Sequence, residues 1–498
     1  MSREFTMAAQ HMSPEEFRRH GKQVIDWIAD YLASVESYPV MSQVKPGDIR
    51  AALPAAAPED GEGFEAVMAD LERVILPGIT HWQHPAFLAY FPANASGPAI
   101  LGDLISSGLG VQGMLWVTSP ACTELETMVV DWLAGLLGLP PHFRTDGRGG
   151  GVIQDSASSA CLVALLAALH RAGGGRVTRE GIDRPYTIYV SSQTHSSLER
   201  AARIAGLGAS GVRVVDVDPR TLAMDPAHLD ALLSEDPHPA MVCATVGTTS
   251  TTAVDPVPAI GEVCRRHGVW LHVDAAYAGV AAVCPELRWL NAGVTEYADS
   301  YSTNPHKWLL TNFDCTVLWL ADRGPLLEAL SSMPEFLRNA ATAAGSVVDY
   351  RDWQIPLGRR FRALKLWAVI RWYGAEGLRA HIRSCVALAG EFASWVAADP
   401  GFEVHEPHPL GLVCLRPRWE GREPEEADAA TLALMERLNA SGDLYLTHTK
   451  AGGRVLLRLA VGSPATERRH LEQVWERIRT EAAALTPRSS RSAASRTE

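Results

Sequence analysis

The stretch Val269-Trp-Leu-His-Val-Asp274-Ala-Ala276 is an apolar, β-branched run that ends on a carboxylate. Farther along the chain, Asn304-Pro-His306-Lys307 places a lysine directly after the predicted strand Asp299–Thr303. A carboxylate at the end of a buried strand is costly to remove from water unless a cation compensates it. Because parallel strands end at the same edge of a sheet, the two stretches predict a crevice that Asp274 and Lys307 share.

Short β-branched runs alternate with helical stretches between about residues 96 and 387. This alternation predicts an α/β fold with a mostly parallel central sheet and helices on both faces. In such sheets the chemistry lies in the loops beyond the carboxyl ends of the strands. The predicted strands are Thr187–Val190, Met241–Thr245, Val269–Val273, Asp299–Thr303 and Thr316–Leu320.

Three further segments flank this large domain. Residues 1–95 are predicted to begin with a helix, since Ser13 and Glu16 form a capping box and Pro14 takes the first helical position. The rest of this segment is rich in Pro and Ala, and we expect it to pack against a second subunit. Residues 388–485 are predicted to form a small α+β domain. The tail 486–498 has almost no apolar residues and is predicted to be disordered and solvated.

The chain has 498 residues, 45 of them basic and 57 acidic, so its formal net charge is −12. An acidic chain has no general attraction for nucleic acid or anionic membranes. No apolar run reaches the ~18 residues of a membrane span, and the first residues contain no apolar core of a secretory signal.

The eight cysteines include no CxxC pair, which is typical of free thiols in a reducing compartment. We therefore expect a cytoplasmic protein.

A lysine and an acid at neighbouring strand ends are the two groups that pyridoxal phosphate requires, one for a Schiff base and one for the pyridinium nitrogen. Asp155-Ser156-Ala157-Ser158-Ser159 leads into an apolar helix and suits a phosphate at the helix N-terminus. His195 follows the predicted strand Thr187–Val190, where it could stack on a ring or move protons. Each feature also has a plainer interpretation: a surface lysine, a simple serine cap and a hydrogen-bonded loop histidine.

Other catalytic patterns are absent from the sequence, including phosphate-binding P-loops, GxSxG nucleophile elbows and metal-ligand clusters. His81 and His84 have helical spacing, but no third ligand accompanies them. We interpret the pair as structural and expect no metal.

Several longer motifs, in order along the chain, identify a family. The sequence resembles the group II pyridoxal-phosphate decarboxylases, specifically the aromatic-L-amino-acid decarboxylase family, from about residue 13 to 480. The matching stretches are His84-Pro-Ala-Phe-Leu-Ala-Tyr-Phe91, Ser119-Pro-Ala-Cys-Thr-Glu-Leu-Glu126, Gly151-Val-Ile-Gln154, His272-Val-Asp-Ala-Ala-Tyr-Ala-Gly279, Asn304-Pro-His-Lys-Trp308 and Trp353-Gln-Ile-Pro-Leu-Gly-Arg-Arg-Phe361.

The resemblance implies a fold, an assembly and a set of roles. The fold is that of the type I pyridoxal-phosphate-dependent transferases, which is aspartate aminotransferase-like, in a homodimer whose N-terminal segment wraps the partner and whose active site lies at the interface. Lys307 would form the Schiff base, Asp274 would keep the pyridine nitrogen protonated, and His195 would stack over the ring. The remaining cofactor contacts implied are Ala276, Ala157, Ser158, Thr249, Asn304 and His306.

One loop position departs from the amine-forming members of this family. They carry a tyrosine, assigned to protonating the carbanion left by decarboxylation, where this chain has Phe336 within Met333-Pro-Glu-Phe-Leu-Arg338. Phenylalanine has no proton to donate. Plant aromatic aldehyde synthases of the same family also have phenylalanine there, and they use O2 to form an arylacetaldehyde, ammonia and hydrogen peroxide. We therefore hypothesise the aldehyde outcome; the alternative is an amine, with the proton supplied by His195 or water.

The expected substrate is an aromatic L-amino acid, because the residues that resemble the family's pocket lining are apolar or aromatic. Phenylalanine, tyrosine, tryptophan and dihydroxyphenylalanine all stay open, since Gln112 and Met114 differ from the usual residues and Gly358 leaves room for an indole. A transaminase and a non-catalytic scaffold are the less favoured alternatives. The implied pocket residues are Trp82, Phe87, Tyr90, Phe91, Met114, Leu357 and Gly358.

Overall fold

The computed structural model describes residues 11–331 and 347–485; Phe336 and the predicted tail 486–498 lie outside them. The helices within the described residues have the following bounds: α1 (Pro14–Ser34), α2 (Asp48–Ala52), α3 (Phe64–Asp70), α4 (Gly97–Leu109), α5 (Pro120–Leu137), α6 (Ala157–Ala172), α7 (Arg176–Glu180), α8 (Ser197–Ile204), α9 (Pro226–Glu235), α10 (Val257–His267), α11 (Val294–Tyr297), α12 (Pro305–Trp308), α13 (Gly324–Leu330), α14 (Ala363–Ala398), α15 (Pro424–Ala440) and α16 (Arg468–Leu485).

Eleven strands in the described residues form two sheets. The first has seven strands in the order β1-β7-β6-β5-β4-β2-β3, and the second has four in the order β10-β11-β9-β8. Their bounds are β1 (Gly150–Gln154), β2 (Thr187–Ser191), β3 (Val212–Val215), β4 (Pro239–Thr245), β5 (Trp270–Asp274), β6 (Ser300–Thr303), β7 (Thr316–Leu320), β8 (Phe402–Val404), β9 (Leu412–Pro417), β10 (Thr447–Ala451) and β11 (Arg454–Ala460).

The large sheet is mostly parallel, as the sequence predicts, because only β7 runs against its neighbours. Alternate residues on a strand face opposite layers. On β5, Trp270 packs into the core formed with α6 and α8, whereas Leu271 and Val273 pack into the core formed with α5 and α10. This alternation sends the side chain of Asp274 to the α6 side of the sheet.

The predicted strand bounds are correct to within two residues. The prediction for β5 begins one residue early, because the Val269 amide donates to the carbonyl of Cys264 at the end of α10 rather than joining the sheet. The strand instead extends to Asp274, which is paired with Thr245 of β4. The capping box at the start of α1 is also confirmed: Ser13 Oγ accepts from the Glu16 amide at 3.2 Å, and Glu16 accepts from the Ser13 amide at 2.8 Å.

The second sheet is fully antiparallel and packs with α15 and α16 as a small α+β unit. The chain reaches it through α14, whose helical geometry is interrupted at Gly374, with φ of 61°. The boundary predicted at residue 387 falls inside α14, so the division of the chain into domains stays a prediction. No helix in the described ranges is long and apolar enough to cross a membrane.

Two of the family-like motifs meet in a buried ion pair. Glu126, on α5, and Arg359, in the segment before α14, each expose 1% of their side chains. Glu126 also accepts a hydrogen bond from the Ile153 amide on β1 at 2.8 Å, and Arg359 donates to Gln354 Oε1 at 3.0 Å. The pair therefore ties α5, β1 and the segment that carries Arg359 into one unit.

Replacing Glu126 with alanine is expected to lower the free energy of unfolding by about 3–5 kcal/mol, because the Arg359 guanidinium would stay buried without a counter-charge. Urea unfolding of the purified variant measures this loss. The matched control is Asp322→Ala, which breaks the exposed pair between Arg148 and Asp322 and should cost less than about 1 kcal/mol. Equal losses for the two variants would contradict the expectation.

Candidate active site

A cavity of about 310 Å³ lies beyond the carboxyl ends of β4, β5 and β6, next to the start of α6. It unites most of the residues that the sequence singles out for cofactor binding. The predicted residues that line it are Tyr90, Phe91, Ala157, Ser158, His195, Thr249, Asp274, Ala276, Asn304, His306 and Lys307.

Asp274 and Lys307 supply the opposite charges of this cavity. Asp274 is 3% exposed, and its Oδ1 accepts from the Ala276 amide at 3.0 Å. Burial lowers the pKa of Lys307 to about 8; Asp274 opposes this shift, and the positive charge of Arg458 adds to it. A lysine with this pKa is partly neutral near pH 8, as a nucleophilic amine must be.

His195 lies in the loop between β2 and α8. Its Nδ1 accepts a hydrogen bond from the Ser197 amide at 3.2 Å, and Ser197 Oγ lies 3.0 Å from the same nitrogen. The neutral ring therefore carries its hydrogen on Nε2. Burial lowers the pKa of His195, the nearby Asp274 raises it, and Lys307 lowers it further. The lowered pKa favours the neutral ring at neutral pH.

Neutral hydrogen-bond donors also line the cavity. Ser156 caps α6 by accepting from the Ser159 amide at 3.2 Å, so the amides of Ala157 and Ser158 remain for a ligand. Asn304 Oδ1 accepts from Thr316 Oγ1 at 2.9 Å, which leaves its amide NH2 to donate.

His306 adds a further donor. Its Nδ1 accepts from the Cys315 amide at 3.0 Å, so its hydrogen is on Nε2. Burial, with a further contribution from Lys307, lowers the pKa of His306 to about 4, and the ring is neutral at neutral pH. Together with the start of α6, these groups match the needs of a phosphate.

The donor set therefore fits pyridoxal phosphate: an amine, an acid and a phosphate site in one cavity. A further group also indicates a bound molecule. Thr245 is 5% exposed and lines the cavity, yet its Oγ1 has no hydrogen-bond partner among the described residues. Sequence reasoning missed Thr245, although it ends β4 directly beside Asp274. Ser156, from the segment predicted to suit a phosphate, also lines the cavity, and the other lining residues that were not predicted are Gly247, Tyr277 and Phe313.

The aromatic residues predicted for the substrate pocket lie in two groups. Phe91 lines the cavity and stacks on Tyr277 with the ring centroids 3.7 Å apart. The ring centroid of Trp82 lies 5.9 Å from that of Tyr90, on which it stacks, and 4.3 Å from that of Phe87. Of these three residues, only Tyr90 lines the cavity.

Met114, Leu357 and Gly358 are not brought to this cavity within one chain. The Arg351 amide donates to the carbonyl of Met114 at 3.1 Å, and the amide of Gln112 lies against Gly358. Leu357 is 50% exposed. Their role as substrate contacts stays a prediction.

The two histidines interpreted as structural have protein partners. His81 Nδ1 lies 2.9 Å from the Tyr31 hydroxyl, and His84 Nδ1 accepts from the Ala86 amide at 3.0 Å. In the part of the chain that the structure describes, no three His, Cys, Asp or Glu residues are grouped so as to hold a metal.

Comparison with known proteins gives the family. Residues 46–418 match the pyridoxal-dependent decarboxylase conserved domain. A phenylacetaldehyde synthase of Arabidopsis thaliana is 47% identical, with 95% of this chain and 97% of the synthase covered. Tryptophan decarboxylase 2 of Oryza sativa subsp. japonica is 45% identical, with 95% of each chain covered.

Among solved structures, that of Oryza sativa TDC with PLP and tryptamine matches with a TM-score of 0.92 and 43% identity, over 96% of this chain and 99% of that one. The similarity therefore extends over nearly the whole length and includes both decarboxylases and aldehyde synthases. This chain belongs to the pyridoxal-dependent decarboxylase family, within its group of aromatic amino acid decarboxylases and aldehyde synthases.

Proposed function

We propose that this enzyme decarboxylates an aromatic L-amino acid with pyridoxal phosphate and passes the remaining electrons to O2. One amino acid, one O2 and one water would give one arylacetaldehyde, CO2, ammonia and hydrogen peroxide. The substrate loses two electrons beyond decarboxylation, and O2 takes them up. The observation that carries the proposal is the single cavity shared by Lys307, Asp274 and His195.

When bound, pyridoxal phosphate supplies an electron sink that accepts the electron pair left when the carboxylate carbon leaves Cα. The chain's own residues would position and polarise it. Lys307 provides the amine that attaches it, and its lowered pKa supplies the neutral form near pH 8. Asp274 stabilises a positive charge on the pyridine nitrogen. Asn304, His306 and the start of α6 hold the phosphate.

The choice between aldehyde and amine depends on whether a proton reaches Cα before O2 does. Phe336 has no ionisable hydrogen at the sequence position where amine-forming relatives have a tyrosine. Within the described part of the cavity, neutral His195 keeps a proton on Nε2. A fast proton transfer from His195 would give the amine, which is the second candidate product.

A homodimer is part of the proposal. The apolar side chains of α1 and α4 border a groove of about 920 Å³ in this single chain, and Phe17, Leu104 and Ile105 on these helices are 62%, 48% and 53% exposed. Such apolar surface is costly in water and is typical of a subunit interface. The exposed group of Gln112, Leu357 and Gly358 would then complete the substrate pocket of the partner.

A product balance tests the proposed function directly. Purified enzyme in air is given phenylalanine, tyrosine, tryptophan or dihydroxyphenylalanine, and CO2, ammonia, peroxide, aldehyde and amine are quantified. We expect CO2, ammonia and peroxide in equal amounts for at least one substrate, with little amine, and loss of aldehyde under nitrogen. Amine equal to CO2 without peroxide would make the enzyme a plain decarboxylase. Turnover that depends on a keto acid would indicate a transaminase.

Phe336→Tyr should shift the product towards the amine, because it restores a phenol at the position where relatives carry a proton donor. We expect the ratio of amine to aldehyde to rise by about 10²-fold, the lower end of the effect of a positioned acid. Phe313→Tyr is the matched control, since Phe313 lines the same cavity outside that loop. If both variants keep the original ratio, Phe336 does not decide the product.

Asp274→Asn tests the electrostatic role of the strand-end acid. The side chain keeps its shape but loses the charge that would stabilise the pyridinium, so kcat should fall by about 10²–10³-fold. The matched control is Asp299→Asn, because Asp299 lies before β6 at the opposite end of the sheet and pairs with Arg171. A loss in the control as large as that in Asp274→Asn would show a structural effect instead.

A further inference from the structure

Arg458, on β11, is a buried cation that forms no ion pair within 4 Å among the described residues. It is 3% exposed, and burial lowers its pKa. Other buried arginines of this chain are paired: Arg359 with Glu126, and Arg416 with Asp428 at 3.2 Å. A buried charge is costly unless hydrogen bonds or an opposite charge compensate it, so the surroundings of Arg458 need an explanation.

Main-chain carbonyls take the place of the missing acid. Arg458 Nε donates to the carbonyl of Ser250 at 3.1 Å, and Nη2 donates to the carbonyls of Thr249 at 2.6 Å and Tyr90 at 3.3 Å. Nη1 donates to Thr447 Oγ1 at 2.9 Å. The planar guanidinium thus links two segments that line the candidate active site, one at Tyr90 and one at Thr249.

Arg458 also contacts the aromatic residue beneath Lys307. Its Cζ lies 5.3 Å from the centroid of the Phe91 ring, and Lys307 Nζ lies 5.1 Å from the same centroid. Phe91 in turn stacks on Tyr277. Lys307 and Arg458 therefore lie close to the same aromatic ring, and a protonated Lys307 would be repelled by the charge of Arg458.

We propose that Arg458 is a positioning residue of the active site. It holds the Tyr90–Phe91 and Thr249–Ser250 segments in place, and its positive charge favours the neutral form of the Lys307 amine. Four of its five N–H donors already bond to protein acceptors, which favours this positioning role over that of an anchor for the substrate carboxylate. The inference rests on the proposed function only in that Lys307 is taken as the cofactor-binding lysine.

The charges around Lys307 give the expected direction. Asp274 raises the pKa of Lys307, whereas burial and Arg458 lower it. His195 and His306 are the other titratable groups at the cavity, and the lowered pKa of each favours the neutral form. Removal of Arg458 therefore leaves Asp274 as the dominant charge facing Lys307, and the pKa of Lys307 should rise.

The test measures Lys307 directly in the full-length chain, after any cofactor is removed with hydroxylamine. Trace acetic anhydride labels neutral amines, and mass spectrometry follows the labelling of Lys307 as a function of pH. In Arg458→Met the labelling midpoint should rise by about one pH unit, the effect of losing one nearby like charge, and labelling at pH 8 should fall about fivefold. Arg458→Lys keeps the charge and should keep the midpoint.

Hydrogen exchange on the same proteins tests the positioning half of the proposal. A lysine ammonium cannot replace the planar fork of the arginine guanidinium, so the peptides that contain Tyr90–Phe91 and Thr249–Ser250 should exchange faster in both variants. The matched control is Arg454→Met on the same strand, whose side chain is 55% exposed and pairs with Glu403; it should change neither readout.

Either of two results overturns the proposal: equal labelling midpoints in Arg458→Met and the unmutated chain, or unchanged exchange of both segments in both variants. An equal rise of the midpoint in Arg458→Met and Arg458→Lys would also overturn it, because the effect would then be structural and independent of charge. Both readouts need no turnover. They therefore stay informative if the enzyme fails to decarboxylate aromatic amino acids.

Discussion

The cost of burying charge at the carboxyl edge of the large sheet is the constraint on which the active site depends. Asp274 is buried at the end of β5 and forms no ion pair within 4 Å among the described residues. Such a carboxylate is stable only because a cation is close and because main-chain donors such as the Ala276 amide face it. Lys307 supplies the cation, and its own burial lowers its pKa, so that part of it is neutral near pH 8. The same desolvation thus keeps a carboxylate and a partly neutral amine in one cavity, the two groups that the proposed cofactor site requires.

The parallel arrangement of β4, β5 and β6 brings the residues of this site to one edge of the sheet. Three strands that end at one edge bring Thr245, Asp274 and Asn304 side by side, although about sixty residues of chain separate the first from the last. The helix α6 packs on one face of the sheet, and its first residues lie at the same edge. His306 adds a neutral donor to this edge, since burial lowers its pKa to about 4 and the ring is uncharged at neutral pH.

The segment at Tyr90 and Phe91 lines the cavity and connects it to the second sheet. The Leu88 amide donates to the carbonyl of Tyr445, and the Ala460 amide donates to the carbonyl of Leu88, so the segment before Tyr90 is bonded into the second sheet. Tyr90 itself has a φ of 50°, which is unusual for a residue with a side chain. Arg458, on β11 of that sheet, donates hydrogen bonds to the carbonyls of Tyr90, Thr249 and Ser250. Backbone strain and an unpaired buried charge at one place are typical of a functional site whose geometry the rest of the fold imposes.

From the sequence alone follow the α/β class, the strands and capped helices, the family, and the placement of Asp274 and Lys307 at one cavity. These follow from local periodicity, from end signals such as Ser13 and from the chemistry that a cofactor requires. The fold was needed to show that Thr245 lines the cavity, that Arg458 lies beside Phe91 with no ion pair among the described residues, and that Met114, Leu357 and Gly358 lie away from the cavity of their own chain. Each of these facts depends on contacts between segments that are tens to hundreds of residues apart, and the local pattern of apolar and polar residues contains no record of such contacts.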